Sequence, residues 1–540
     1  MTLRAQAIIV LAIVAVGAGV SAKPLLAQET APSPQPLRVT TRLVQIAVLV
    51  QDKQGNPVTG LTKDDFVLLD GKKNQEIQLF SVDTNQTLPG AEQPLPPGTY
   101  TNEIEQGGVP SNLTVILMDS FNTAYLDQAY ARNQIVKLLL TIRPQDRVAL
   151  YALGSRLRVL HEFTSNASSL LEALMKFKSE RAPDRDNGDT GPTNLFNQQL
   201  VQLAQDAGID ENQAFAVDHG HLTAEALRMI ANHVGSLPGR KNLVWVSGSF
   251  PFSLETNNPQ RTPSGQKIPF PTEVELVTRA LNDANMAIYP VDARGLVDPG
   301  LTGTGVNIMG KVDTSSFGAM QILARRTGGR AYYNTNAIMG SIRQAIDDSS
   351  VAYELGFYPA GVKWDGSFHA IHVKVKRADV HVQAREGYFA LPEPPSTPET
   401  RLAMISEIAR SPMQATGVRM RAEIAPVLSL GQRSLEITLS VDAQQLGFQR
   451  ESEHWKGLVD VAFVQLDARE QFIDKFTLSF HLALSTAERE EMLRRGFFFT
   501  REFPILSNTT ELRVIVRDDG NGKIGSVHIP LASAFLDKTN

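Results

Sequence analysis

The stretch from Leu113 to Thr123 reads L-T-V-I-L-M-D-S-F-N-T, and its pattern decides the fold. Val115, Ile116, Leu117 and Met118 form an unbroken apolar run, too short to cross a membrane and suited to a strand buried on both faces. Asp119 follows at once, then small polar residues, then a helical pattern from about Tyr125 to Leu140. A strand that ends in an acid and opens into a helix is where open α/β sheets place their ligands. The same residues also suit a plain helix start, because Asp, Ser, Asn and Thr all cap helices well.

Outward from this stretch, strand and helix patterns alternate over 112–350. Strand patterns fall at 113–118, 147–153, 157–162, 243–246, 286–291 and 330–333, and helical ones near 124–141, 168–179, 223–236, 272–284, 315–327 and 339–348. Apolar strands alternating with helices argue a doubly wound, mainly parallel sheet covered on both faces. Only Gly154-Ser155-Arg156 separates 147–153 from 157–162, so these two are expected to form a hairpin and supply one antiparallel edge. Gly328-Gly329 is a helix stop ahead of the last strand. The polar segment 181–194 and the proline-rich segment 250–271 read as long loops.

Short strands flank this region on both sides. In 38–82, residues 66–69 are expected to turn at Asp70-Gly71 and pair with 77–80. In 351–390 three runs alternate in polarity, around Leu355, Val373 and Val382. Neither flank holds enough strands for a sheet of its own, so the two are expected to form one β unit. The segments 83–111 and 391–400 read as linkers from their proline content. Residues 401–540 carry strand signals at 419–425, 434–441, 458–466, 473–482, 499–506, 511–517 and 524–529, the count of a C-terminal β-sandwich. One helix interrupts them: Ser485 and Glu488 make a capping box, and Gly496 closes it. The fold class expected is α/β plus β.

At the N-terminus, Arg4 precedes an apolar run over 5–20, the pattern of a signal peptide over 1–22 with cleavage after Ala22, or after Ala27. The alternative is a retained anchor helix, for which this run is short. Residues 23–37, rich in Pro, Ser and Gln, read as a tether. The chain contains no cysteine, which excludes disulfides, thiolate metal sites and a Cys nucleophile. A net charge of −5 over 540 residues gives no basis for wholesale nucleic-acid binding. The expectation is an exported protein, periplasmic, outer-surface or secreted, with no membrane span once the signal is cleaved.

A parallel sheet whose first strand ends in Asp119 and hydroxyl residues, with a hairpin edge after the first helix, resembles the von Willebrand factor type A domain. Longer motifs sharpen the likeness: L-P-G-R-K-N-L-V-W-V-S-G (237–248), I-Y-P-V-D-A-R-G-L (288–296), A-R-R-T-G-G-R-A (324–331), Y-E-L-G-F-Y-P (353–359) and R-E-G-Y-F-A (385–390). They resemble the Acidobacteria type of VWFA-related protein over roughly 38–390. The resemblance implies a metal-ion-dependent adhesion site, with Mg²⁺ held by oxygen ligands from three loops. Asp119 matches its first Asp and Thr123 its last hydroxyl. Phe121 stands at the middle hydroxyl position, His221 where the second loop (220–227) has its Thr, and Ser247 where the third loop (246–248) has its Asp. Ser120, Asn122 and Thr223 lie close enough in sequence to substitute. The site is therefore expected to be degenerate, with Asp119 and Thr123 as the remaining metal-ligand positions and no required cofactor.

Other signals are weaker. Asp218, His219 and His221, with Asp119 opposite, suggest a transition-metal site, but two His two apart share a side only on a strand. Asp518-Asp519-Gly520-Asn521-Gly522 has Ile529 where a calcium loop needs Glu, and reads as a hairpin turn. An Asp-His-Ser hydrolase can be assembled from Asp119, His221 and Ser247. The favoured function is a non-enzymatic, adhesion-type binding module that engages a protein or surface glycan through the carboxyl edge of the sheet. Its candidate residues are Asp119, Ser120, Asn122, Thr123, His221, Thr223 and Ser247. The alternatives are a hydrolase at that edge and a structural envelope component.

Overall fold

A computed structural model describes residues 43–84, 95–103, 113–178, 211–252, 272–296, 315–348, 351–392, 396–429 and 432–531. The expected signal peptide and tether, the 181–194 loop and nearly all of the 250–271 loop lie outside the described residues. None of the described helices is long and apolar enough to cross a membrane.

The apolar runs form one five-stranded sheet, in the order Met286–Asp292, Lys241–Ser247, Leu113–Asp119, Arg147–Leu153, Leu157–Thr164. The first four run parallel and the last is antiparallel. Residues alternate between the two faces, as the two-residue strand period requires. Val115 and Leu117 enter one core with Leu227, Ile230, Val277 and Leu323. Ile116 and Met118 enter the other with Ile135, Leu138, Leu170 and Ile342. Helices Glu211–Val234, Glu273–Asp283 and Ser315–Thr327 therefore cover one face, and Tyr125–Leu139, Ala167–Lys176 and Ile338–Asp347 the other.

Two expectations in this region are corrected. The strand at 330–333 is a single bridge, Val291 to Tyr332. Asn334 takes a left-handed φ of 52° and ends the extended run before it lengthens. The segment 220–227 is not a loop: it lies inside the Glu211–Val234 helix, because Ala224, Leu227, Ile230, Ala231 and Val234 recur at helical spacing and all are buried. Gly220 is needed there, since a Cβ would sit 2.6 Å from the Pro251 carbonyl oxygen.

Strands from both flanks share sheets. Val44–Asp52 pairs with Val351–Phe357 and with Val380–Gln383, and Phe66–Asp70 pairs with Phe368–Val375. Ile46, Val48, Phe66, Leu68, Tyr353 and Phe357 fill the common core. The hairpin differs from expectation. Phe66–Asp70 turns back onto Lys73–Gln75, while Leu79–Thr84 leaves to pair with Val351–Phe357. That pairing seats Phe80 against Phe66 and Tyr353.

At the C-terminus two antiparallel sheets enclose one core that includes Ile437, Phe463, Val514 and Val527. The Ser485 capping box and the Gly496 stop are both in place around the helix Thr486–Arg495. Described parts of two segments read as linkers form secondary structure. Thr99–Thr101 adds an edge strand to Met420–Ser429. Asn102, 2% exposed, then binds the Ala415 and Val418 carbonyls, both at 2.7 Å. A helix, Pro398–Arg410, starts within 391–400, with Thr397 as cap and Pro398 in the first turn. The chain after it docks on the end of the Glu211–Val234 helix. Thr416 donates to the His233 carbonyl at 2.6 Å, and Met413 enters the α/β core.

Candidate functional site

The parallel register sets Met118 beside Val246, so Asp119 and Ser247 come next to each other at the carboxyl ends of their strands. Trp245 and Ser247, two apart on one strand, share a face. Both reach the same oxygen: the Trp245 indole N–H lies 3.0 Å from Asp119 Oδ2 and the Ser247 hydroxyl 2.8 Å. The Ser247 hydroxyl has one proton for two acceptors, Asp119 and, at 2.7 Å, the Ser249 carbonyl. From the loop that follows the strand, the Asn122 backbone N–H donates to Oδ1 at 2.9 Å and its side-chain amide to Oδ2 at 2.8 Å. The same amide nitrogen donates to Thr223 Oγ1 at 2.9 Å, and Asn122 Oδ1 meets His219 Nδ1 at 3.0 Å. Thr223 passes its own proton to the His219 carbonyl at 2.7 Å, closing a ring between loop and helix. On the other side, Thr123 Oγ1 accepts the Gly248 N–H at 2.8 Å.

Burial raises the Asp119 carboxyl above the ordinary carboxylate range, and the hydrogen bonds from Asn122, Ser247 and Trp245 act against that rise. The acid is thus an internal hub, reached by donors from the neighbouring strand and a loop.

The sequence candidates separate into two groups. Asp119, Asn122, Thr123, Thr223 and Ser247 converge, and Ser120 joins them through its backbone: its N–H donates to the Leu153 carbonyl at 2.8 Å and its carbonyl accepts from Gln128 at 2.9 Å. His221 lies apart, exposed, with Nδ1 3.1 Å from Glu273 Oε1. Residues two apart on a helix are rotated by about 200°, so His219 and His221 cannot turn to one ion. Among the described residues no group of three or more His, Asp and Glu side chains could hold a metal. Asp119, His221 and Ser247 form no hydrolase relay either, since Ser247 contacts the acid directly and His221 is elsewhere. Asp119, Ser120, Thr123, Thr223 and Ser247 are buried, so of the seven only Asn122 and His221 present surface to a partner.

Magnesium needs near-octahedral oxygen ligands with free lone pairs. Here the Asp119 oxygens accept N–H and O–H donors, Thr223 accepts the Asn122 amide, and Thr123 accepts Gly248. Phe121 stacks on His219, with ring centroids 4.0 Å apart, where a hydroxyl ligand would stand. As arranged, these residues do not fit the ion. The Asn122 amide sits where oxygens from strand and helix converge and supplies the positive charge density a cation would.

Sequence reasoning missed Trp245, although its place two residues before Ser247 was a usable signal. It also missed Tyr125 and Leu126, which follow the Asp119 loop and are 58% and 78% exposed.

No protein-family model matches the chain, and no curated protein matches it. Solved structures do. An aerotolerance-related membrane protein from Bacteroides fragilis is 13% identical, with 44% of this chain and 99% of that one covered and a TM-score of 0.25. Proximal thread matrix protein 1 from the mussel byssus, in a structure with a zinc-occupied adhesion-site motif, is 10% identical, covering 45% of this chain and 46% of that one, with a TM-score of 0.23. The pilus adhesin SpaC from Lactobacillus rhamnosus is 10% identical, covering 80% of this chain and 57% of that one, with a TM-score of 0.25.

Proposed function

We propose that this protein is an exported, non-enzymatic binding module with a von Willebrand factor A-like domain, and that it engages its partner at the carboxyl edge of the sheet without a metal ion. The observation that carries this is the Asn122 amide, hydrogen-bonded to both Asp119 and Thr223. It meets the needs of the oxygens that would otherwise call for a cation. The buried ring then serves as a rigid floor, and Phe121, Asn122, Tyr125 and Leu126 form the contact surface above it. The partner is a protein or surface glycan, with a protein favoured by the apolar character of Tyr125 and Leu126.

The test is capture from an envelope fraction with the unaltered protein and with Tyr125→Ser/Leu126→Asp. Capture that survives EDTA and is lost in the double variant, at unchanged melting temperature, supports the reading. Capture abolished by EDTA and restored by Mg²⁺ would overturn metal independence, and capture unaffected by the double variant would overturn the surface.

A further inference from the structure

Where the chain passes from the α/β body into the C-terminal sandwich, Gln414 links two histidines. His233, in the last turn of the Glu211–Val234 helix, is 5% exposed. Its Nδ1 lies 2.7 Å from the Gln414 carbonyl, and its Nε2 lies 3.4 Å from Glu162 Oε2 on the antiparallel edge strand. Partial burial would raise the Glu162 carboxyl, but hydrogen bonds from His233 and Tyr151 hold it below the ordinary range, so it is an acceptor too. A neutral imidazole has one proton for these two acceptors. Both bonds are made only by the charged ring, which the C-terminal end of a helix also favours. The Gln414 side-chain oxygen accepts the His528 backbone N–H at 3.2 Å, on the Ile524–Pro530 strand of the sandwich. The His528 Nε2 is buried without a hydrogen-bond partner, and its Nδ1 lies 3.5 Å from Glu511 Oε1. That oxygen already accepts Arg513 Nε at 2.6 Å.

The titratable groups facing this pair are Tyr151, His161 and Glu162 on the two sheet strands, and Glu511 and Arg513 on the Glu511–Asp518 strand. Burial raises the Tyr151 hydroxyl, so it stays neutral. Arg513 is fixed in place, donating to the Ala409 and Ser411 carbonyls, both at 2.7 Å. Burial, Arg513 and His233 together push the His528 imidazole well below its ordinary range, so it is uncharged at neutral pH. A proton on it would add a third positive charge to the joint. The carboxylates there are already engaged, Glu162 by His233 and Glu511 by Arg513. A buried charge without compensation is costly. The closed joint therefore holds fewer protons than the open one. Its stability is full above the ordinary imidazole range and is lost as the pH falls below it.

We infer that the two histidines make this joint a pH-sensitive latch. It is closed while His233 alone of the two is charged, and it opens in acid when His528 is charged as well, freeing the sandwich from the end of the Glu211–Val234 helix. Hydrogen exchange of the full chain, corrected for the intrinsic pH dependence of amide exchange, is the test. Between about pH 7.5 and about pH 5, protection of residues 411–416 should fall about tenfold, while that of the His454–Leu466 strand should hold. His528→Gln should abolish the fall. His233→Gln removes a cation that opposes the second proton, so the fall should be smaller in that variant. Protection of 411–416 that is unchanged at about pH 5 would overturn the inference, as would a fall of equal size in His528→Gln. Should His528→Gln fail to fold, an undiminished fall in His233→Gln would overturn it instead.

Discussion

Asn122 holds Asp119 from two directions, by its backbone N–H at 2.9 Å and by its side-chain amide at 2.8 Å. The second amide proton goes to Thr223 at 2.9 Å. One neutral side chain thus joins the end of the central strand to a helix that covers the sheet, and the acid is occupied before any ligand arrives.

Asn122→Ala should therefore have two effects. Removing the amide takes one of three donors from Asp119 Oδ2 and a donor from Thr223 Oγ1, at a cost of about 1–3 kcal/mol. It also frees those oxygens, so millimolar Mg²⁺ should stabilise the variant more than the unaltered protein. Thermal melts with EDTA and with Mg²⁺ check both effects. A shift of several degrees in the unaltered protein that disappears in Asp119→Ala would contradict the amide assignment.

Replacing Asp119 tests its role as a hub. Asp119→Ala leaves donors on Asn122 and Trp245 unpaired, each worth about 1–3 kcal/mol, while Ser247 keeps the Ser249 carbonyl, and the cost is partly offset by loss of a buried charge. Asp119→Asn keeps one oxygen acceptor and the shape. Urea denaturation should rank the unaltered protein above Asp119→Asn, and that above Asp119→Ala. The reverse order of the two variants would show that the hydrogen bonds do not carry the site.

Asp518 predicts a pH dependence. Burial raises its carboxyl from 3.8 to about 6, against hydrogen bonds from Gly447 and Asn521. The folded protein thus holds this proton more tightly than the unfolded chain. The resulting stability is fully present below pH 3.8 and is lost as the pH rises through about 6. At about 1.4 kcal/mol per pKa unit, the change is about 3 kcal/mol. Stability of the unaltered protein relative to Asp518→Asn should fall across that window and level off above it. Urea melts at a series of pH values measure the difference, and a flat difference would refute the assignment.

The contact of the C-terminal part with the α/β body should be measurable. Thr416 is fully buried, donates to the His233 carbonyl at 2.6 Å and receives the Ser236 N–H at 3.2 Å. Thr416→Val removes both bonds at nearly constant volume, for a cost of about 1–3 kcal/mol. A chain ending at residue 395 also loses Met413 from the core, and it should melt earlier and less cooperatively than the full chain. An α/β body that melts unchanged after this truncation would show that the docking adds no stability.

The sequence alone determined the elements with strong local signals. The run Val115–Met118 suits a strand covered on both faces, and the three-residue connection at 154–156 suits a hairpin. Ser485, Glu488 and Gly496 mark both ends of one helix by local hydrogen-bonding chemistry. Asp119, Asn122 and Ser247 were legible as neighbours, because parallel strands of one sheet bring their carboxyl ends to one edge.

Tertiary structure decided what depends on contacts between residues far apart in the chain. Residues 220–222 belong to the helix whose pattern is legible only from 223 onward, and Gly220 lies there against the Pro251 carbonyl, a contact no local window contains. Thr99–Thr101 became a strand because a sheet edge more than 300 residues later offered unpaired backbone groups. Leu79–Thr84 pairs with Val351–Phe357 instead of Phe66–Asp70, a partner far away in the chain, and Phe80 still touches Phe66 as well as Tyr353. The roles within the site were settled in the same way. Whether Asp119 faces an ion, a partner or its own protein depends on which donors reach it, and those come from Trp245, Ser247 and Asn122, brought together only by folding.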